Sequence, residues 1–90
     1  MGGTGRYVAV TYSKHAREQM AERLISPRQI ERTIAAPNRT RPSTNPLGRT
    51  VAERETAAGN TLRVVYAEVP TLAGVTAHVV TIIRIGRKRT

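Results

Sequence analysis

The clearest signals that start and stop helices lie in the first half of this chain. Ser13 is a typical N-cap residue for a helix over residues 14–24. Ser26 followed by Pro27 predicts a second helix start, because proline suits the first helical position. This second helix should end just before Pro37, since the residue ahead of a proline disfavours helical geometry.

The rest of the chain has the alternating or β-branched pattern that is typical of strands. Four segments have this character, at residues 6–12, 49–56, 61–69 and 76–85. Residues 57–60 (AAGN) predict a hairpin turn between the second and third of them. The predicted order is β-α-α-β-β-β, an α+β fold in which two N-terminal helices pack on one face of a twisted antiparallel sheet.

The length of 90 residues predicts one domain that spans residues 1–90. Within it we expect a loose Gly-rich N-terminus at residues 1–5, an Arg- and Pro-rich loop at 38–48 and a basic tail at 86–90. No apolar run approaches the roughly 20 residues that span a bilayer, and the N-terminus lacks a signal-peptide core. We therefore expect a cytoplasmic protein without a membrane partner.

The net charge of +9 is the strongest feature of the composition, with thirteen Arg and two Lys against six Glu. Such an excess attracts polyanions, nucleic acid above all, and the Arg bias favours fork-like binding of phosphate. The chain has no Asp and no Cys, so we expect no metal and no cofactor. An acidic protein partner is compatible with the same charge.

The polar face of the first predicted helix carries a candidate site. At 100° per residue, one face holds His15, Gln19, Glu22 and Arg23, while the opposite face is apolar. This face offers an imidazole, an amide, a carboxylate and a guanidinium within two turns. A solvated helix face or a capping histidine is the alternative explanation.

A histidine among arginines is sufficient to cleave RNA without a metal, because RNA supplies its own nucleophile, the 2′-hydroxyl. His15 would act as the general base or acid. Arg23, Arg63 and Arg84 would bind phosphate and stabilise the charge that develops on it. Tyr66 is a further candidate, for orientation or proton transfer. The product would be a 2′,3′-cyclic phosphate.

Two segments of the chain contain no acidic residue, one at residues 32–52 and one after Glu68. They supply six candidate nucleic-acid-binding residues: Arg39, Arg41, Arg49, Arg87, Lys88 and Arg89. A solvated linker and a solubilising tail are the alternative explanations for these two segments.

Strand alternation assigns further side chains to faces of the predicted sheet. Arg63 lies opposite the face of Leu62 and Val64, so it could line a concave surface. His78 and Arg84 share parity on the last predicted strand and should therefore share a face. The apolar neighbours of His78 are more typical of a packed or edge histidine than of a second catalyst.

The helix pattern H-A-x(3)-M-x-x-R-x-I-S, followed by LRVVY and VVTII, resembles a small bacterial family of unknown function grouped near the BrnT and RelE toxins. The resemblance covers residues 12–85. It implies a RelE-like α+β fold and a ribonuclease toxin that an acidic antitoxin keeps silent. Of the site residues, it carries over only His15 and Arg23.

The residues and the resemblance together predict a metal-independent endoribonuclease, a toxin or toxin-like protein whose RNA substrate is free or bound to the ribosome. A non-catalytic RNA- or ribosome-binding module and a basic protein-interaction domain are the alternatives. A nuclease should lose activity with His15→Ala while it keeps its RNA affinity. An interaction protein should bind RNA only weakly at physiological salt.

Overall fold

The computed structural model of this protein describes residues 7–42, 48–56 and 59–86. Two helices and five strands lie within these ranges. In chain order they are β1 (Tyr7–Tyr12), α1 (Lys14–Arg23), α2 (Pro27–Ala35), β2 (Arg39–Pro42), β3 (Arg49–Glu55), β4 (Thr61–Thr71) and β5 (Gly74–Ile85). The predicted loose N-terminus and most of the predicted basic tail lie outside the described residues.

Both helices begin at the capping residues that the sequence indicates. The Ser13 side chain accepts a hydrogen bond from the backbone N–H of Ala16 at 3.0 Å, which satisfies an otherwise unpaired donor of α1. At α2, Ser26 and Gln29 form a reciprocal capping box. α1 ends at Leu24, whose φ of 54° is left-handed. Within the described residues, no helix is long and apolar enough to cross a membrane.

The five strands form one sheet in the order β1-β5-β4-β3-β2. Strands β2 to β5 pair antiparallel with their sequence neighbours, whereas β1 lies parallel to β5 at one edge. Both helices cross the same face of the sheet, since α1 packs on β1 and β5 while α2 packs on β3 and β4. They carry the chain from the β1 edge to the β2 edge.

The predicted order β-α-α-β-β-β is wrong in one element, because the predicted loop at residues 38–48 contains strand β2. β2 is short and exposed, and its sequence RTRP has no apolar alternation that indicates a strand. It forms by backbone pairing with β3, from Arg39 opposite Glu53 to Pro42 opposite Thr50. The proline is tolerated because β2 is an edge strand.

The antiparallel sheet of the predicted RelE-like fold is also wrong, since the sheet is mixed. β1 runs parallel to β5, with Val10 opposite Ala77 and Tyr12 opposite Val79. The direction of β1 relative to β5 follows from the path of the two helices. No alternation pattern within β1 encodes that path.

The core lies between the helices and the sheet. Its largest fully buried side chains come from α2 and from β4 and β5: Ile30, Thr33, Val64, Tyr66, Val79 and Ile82. The rings of Tyr7 and Tyr66 meet edge to face, with their centroids 5.6 Å apart. The Tyr7 hydroxyl also donates to Glu68 Oε2 at 2.5 Å. These side-chain contacts link β1 to β4 across β5, on the helix-covered side of the sheet.

Candidate nucleic-acid interface

The face of the sheet that points away from both helices is named the open face. Along β4, Leu62, Val64 and Tyr66 are buried under the helices, so the alternating residues Arg63 and Val65 lie on the open face. Directly paired residues on neighbouring strands share a face, and the register extends this assignment across the sheet. Both helices pack on the opposite face of the sheet.

A bulge in β5 decides which of its side chains reach the open face. Two consecutive residues of β4 pair with Thr81 and Val79, so Val80 is an extra residue that has no partner in β4. Before the bulge, Val79 is buried under the helices, and after it Ile82 is buried there. The inward-facing positions therefore change from odd to even numbers at Val80.

The bulge makes one sequence prediction wrong, because His78 and Arg84 do not share a face. His78 pairs with Ala67 and lies on the open face, whereas Arg84 pairs with the buried Leu62 on the helix side. There, Arg84 Nη2 donates to the backbone carbonyl of Arg23 at 2.8 Å. A count of parity misses the extra residue between the two positions.

The first of three rows across the open face is built around a buried carboxylate. Glu53 is 8% exposed, and its Oε2 accepts a hydrogen bond from Arg63 Nε at 2.5 Å. Its Oε1 lies 3.7 Å from Arg39 Nε. One carboxylate thus holds two guanidinium groups beside a hollow of about 350 Å³. A second carboxylate, that of Glu55, lies at the same end of the open face.

The second row combines an arginine with apolar and hydroxyl side chains. Across β2, β3, β4 and β5 it consists of Arg41, Val51, Val65 and Thr81. Arg41 is exposed, whereas Val65 and Thr81 are half-buried. The row has no carboxylate to neutralise its guanidinium.

The third row places an arginine and a histidine on either side of a small residue. It consists of Arg49, Ala67, His78 and Thr11 across β3, β4, β5 and β1. His78 Nδ1 lies at hydrogen-bond distance, 2.8 Å, from Thr11 Oγ1. Only the methyl group of Ala67 stands between Arg49 and His78 in this row.

The three rows give the open face an uneven charge distribution. Its two carboxylates, Glu53 and Glu55, lie at one end, while Arg41 and Arg49 lie farther along the same face. Neither Arg41 nor Arg49 makes an ion pair with any described residue. An anion that approaches the open face therefore meets two uncompensated guanidinium groups.

The polar face of α1, in contrast, forms hydrogen bonds to the backbone of β5 where β1 no longer pairs with it. β1 pairs with β5 only as far as Val79, so the β5 backbone beyond that residue needs other partners. The Ile82 N–H donates to Gln19 Oε1 at 2.8 Å, and the Ile82 carbonyl accepts from Arg23 Nη1 at 3.1 Å. Gln19 and Arg23 thus take the place of a neighbouring strand at this edge.

The five predicted catalytic residues do not converge on one site. Arg23 and Arg84 meet where α1 contacts β5, whereas His15 is exposed at the opposite end of α1, about 12 Å away along its axis. Arg63 lies on the open face. Tyr66 is buried in the core, where its hydroxyl bonds another tyrosine at 3.1 Å. The catalytic roles of all five stay predictions.

The predicted nucleic-acid-binding residues divide into two sets. Arg39, Arg41 and Arg49 lie together on the open face, while residues 87–89 lie outside the described ranges. Thr11 and the location of His78 were not predictable from the sequence, because they depend on strand register and on the bulge.

The end of β1 carries a tyrosine with a shifted proton affinity. Burial raises the pKa of Tyr12 to about 12, and the charge and hydrogen bonding of the Glu31 carboxylate add to this effect. The Tyr12 hydroxyl donates to Glu31 Oε2 at 3.3 Å. This contact joins β1 to α2 on the helix side, away from the open face.

A larger hollow of about 610 Å³ lies between α2 and the end of β3, where Arg32 and Arg54 line it. Arg54 Nη1 donates to the backbone carbonyl of Ala36 at 2.5 Å, so this arginine secures the end of α2. No group of three His, Cys, Asp or Glu side chains able to hold a metal ion occurs in the described part of the chain.

Together these features define a small α+β domain whose mixed sheet has one helix-covered face and one open, arginine-bearing face. The chain belongs to a family described as a domain of unknown function (DUF4258), whose model matches residues 12–84. No curated protein and no solved structure matches the chain. The comparisons thus support a family of unknown function, as the resemblance implied, but give no link to the RelE and BrnT toxins.

Proposed function

We propose that this protein binds RNA through the open face of its sheet. The observation that carries the proposal is the pair of rows in which Arg41 and Arg49 stand without a neighbouring carboxylate. Guanidinium groups bind phosphate through two parallel N–H donors. The net charge of +9 would attract a polyanion to this face from a distance.

The side chains between the arginines favour contacts with the RNA backbone over stacking on bases. The second and third rows offer the hydroxyls of Thr11 and Thr81 and the apolar groups of Val65 and Ala67. The described open face has no Phe, Tyr or Trp ring on which a base could stack, and the His78 imidazole is its one aromatic group. Binding of this kind tolerates many sequences and depends strongly on salt.

Cleavage of the bound RNA by a metal-independent, toxin-like endoribonuclease is a second candidate function. It is favoured by the position of His78, which places an imidazole on the same face as the uncompensated arginines. An acidic protein that covers the open face is the rival occupant, and it would compete with RNA for the same guanidinium groups.

The test compares two double variants that lose the same charge from opposite sides of the molecule. Arg41→Ala with Arg49→Ala removes the open-face arginines, and Arg17→Ala with Arg28→Ala removes two exposed helix arginines. Fluorescence anisotropy with a labelled single-stranded RNA would measure affinity over a range of salt concentrations.

We expect the open-face double variant to lose about tenfold or more in affinity. Its salt slope should also fall by about 0.7 for each phosphate contact removed. The helix double variant should lose much less. Equal losses in both variants would show that net charge alone drives binding and would contradict the proposed site.

A further inference from the structure

The imidazole of His78 is held in one orientation on the open face. Its Nδ1 bonds Thr11 Oγ1 at 2.8 Å, while its Nε2 has no hydrogen-bond partner among the described residues. A hydroxyl can accept the Nδ1–H of both the neutral ring and the imidazolium. Thr11 therefore supports either protonation state while Nε2 remains free to exchange a proton.

The bulge at Val80 brings this imidazole to the arginine-bearing face while it keeps the rest of β5 in register. Without the extra residue, His78 and Arg63 would lie on opposite faces, because Arg63 pairs with Ile83. Bulges re-aim side chains in this way and occur often beside active sites.

Arg49 lies in the same row as His78, two strands away, with Ala67 between them. Two strand spacings separate the backbones of Arg49 and His78 by about 10 Å. The long Arg49 side chain and the imidazole can both lean over the Ala67 methyl group. A phosphodiester that rests on Ala67 would meet a guanidinium on one side and Nε2 on the other.

We infer that His78 is the catalytic acid–base residue of an RNA-cleaving site on the open face, with Arg49 as its phosphate-binding partner. The inference rests on the proposed binding of RNA to this face. The inference assigns catalysis to His78, on the proposed RNA-binding face, instead of to His15 on α1.

The reaction is an internal phosphoryl transfer within the RNA chain. His78 Nε2 takes the proton of the 2′-hydroxyl, the 2′-oxygen bonds to phosphorus, and the bond from phosphorus to the 5′-oxygen breaks. Arg49 stabilises the negative charge on the phosphoryl oxygens. The imidazolium gives its proton, directly or through water, to the departing 5′-oxygen. The products are a 2′,3′-cyclic phosphate and a 5′-hydroxyl, so all atoms and protons balance.

The test follows cleavage and binding separately, with the full chain in excess chelator. Wild type, His78→Ala, His78→Gln and His15→Ala would be incubated with labelled single-stranded RNA and with translating ribosomes. Product ends would be analysed for 2′,3′-cyclic phosphate, and anisotropy would report affinity for the same RNA. Circular dichroism would verify the fold of each variant, and His78→Gln preserves polarity if His78→Ala unfolds.

We expect wild type to release cyclic-phosphate ends. Cleavage that is lost in His15→Ala but kept in the His78 variants would return the acid–base role to α1 and overturn the inference. Both His78 variants should cleave at least about 100-fold more slowly while their RNA affinity changes less than threefold. The inference is overturned if wild type binds RNA but cleaves neither substrate, or if the His78 variants cleave as fast as wild type. A wild type that does not bind RNA would instead remove the proposed function itself.

Discussion

The two faces of the sheet differ in what specifies them and in what they leave available. On the helix-covered face, residues such as Val64 and Ile82 are fully buried, and the hydrophobic effect fixes their positions. On the open face, their sequence neighbours Val65 and Ile83 are only half-buried and lie among arginines and threonines. One face therefore holds the fold together, while the other keeps charged groups accessible to a ligand.

The largest expected effect is a loss of stability from truncating a core residue on the helix-covered face, Ile82. Its neighbour Ile83, on the open face, provides the matched control. Ile82→Ala should lower the free energy of unfolding by about 2–5 kcal/mol, since it leaves a cavity in the core. Ile83→Ala removes the same atoms from a half-buried site, so we expect it to cost about 1 kcal/mol. Urea denaturation of both variants measures the difference, and equal losses would refute the assignment of faces.

Glu53→Gln should change stability and RNA affinity in opposite directions. It removes the negative charge that holds Arg39 and Arg63, so we expect a loss of about 1–2 kcal/mol in the free energy of unfolding. The same change makes the open face more positive and should strengthen RNA binding at low salt. Thermal unfolding and anisotropy would be measured on one preparation. A variant that binds RNA more weakly than wild type would contradict RNA binding by the open face.

Arg23→Ala distinguishes a structural role from the predicted catalytic role. Because Arg23 Nη1 bonds the Ile82 carbonyl, we expect its loss to cost about 1 kcal/mol of stability and to leave RNA affinity unchanged. Arg17→Ala is the control, since Arg17 is exposed on the same helix. If Arg23→Ala is as stable as wild type but binds or cleaves RNA less well, Arg23 has a functional role instead of a structural one.

The smallest effect is expected at alkaline pH and concerns the covered face alone. The folded state raises the pKa of Tyr12 from 10.0 to about 12, so it holds this proton more tightly than the unfolded chain does. The stability from this group is therefore complete below pH 10.0 and is lost as pH rises towards 12. Tyr12→Phe should lose less stability across this range than wild type. Parallel losses in the two proteins would show that the buried Tyr12 hydroxyl is not responsible.

The parts of the fold that the sequence predicts are those encoded by local signals. Both helix starts follow from the capping residues Ser13 and Ser26, whose side chains bond the first turn directly. β2 escaped prediction because its four residues carry no apolar pattern, and the parallel direction of β1 depends on the path of the helices. Long-range pairing, rather than local propensity, decides both features.

The candidate site was harder to predict than the fold for the same reason. Charge identified Arg41 and Arg49 as candidates, and alternation placed Arg63 opposite the core, since both depend on composition or on period two. The prediction that His78 shares a face with Arg84 is wrong because the bulge shifts parity, and Thr11 meets His78 only through the β1–β5 register.

The most direct test of RNA binding by the open face is a titration of methyl-labelled protein with single-stranded RNA, followed by NMR. If RNA binds the open face, the methyl signals of Val65 and Ile83 should shift as RNA is added. The signals of their covered neighbours Val64 and Ile82 should stay nearly in place. Shifts centred on the helices, at Ile30 for instance, or no shifts at an RNA excess would contradict RNA binding by the open face.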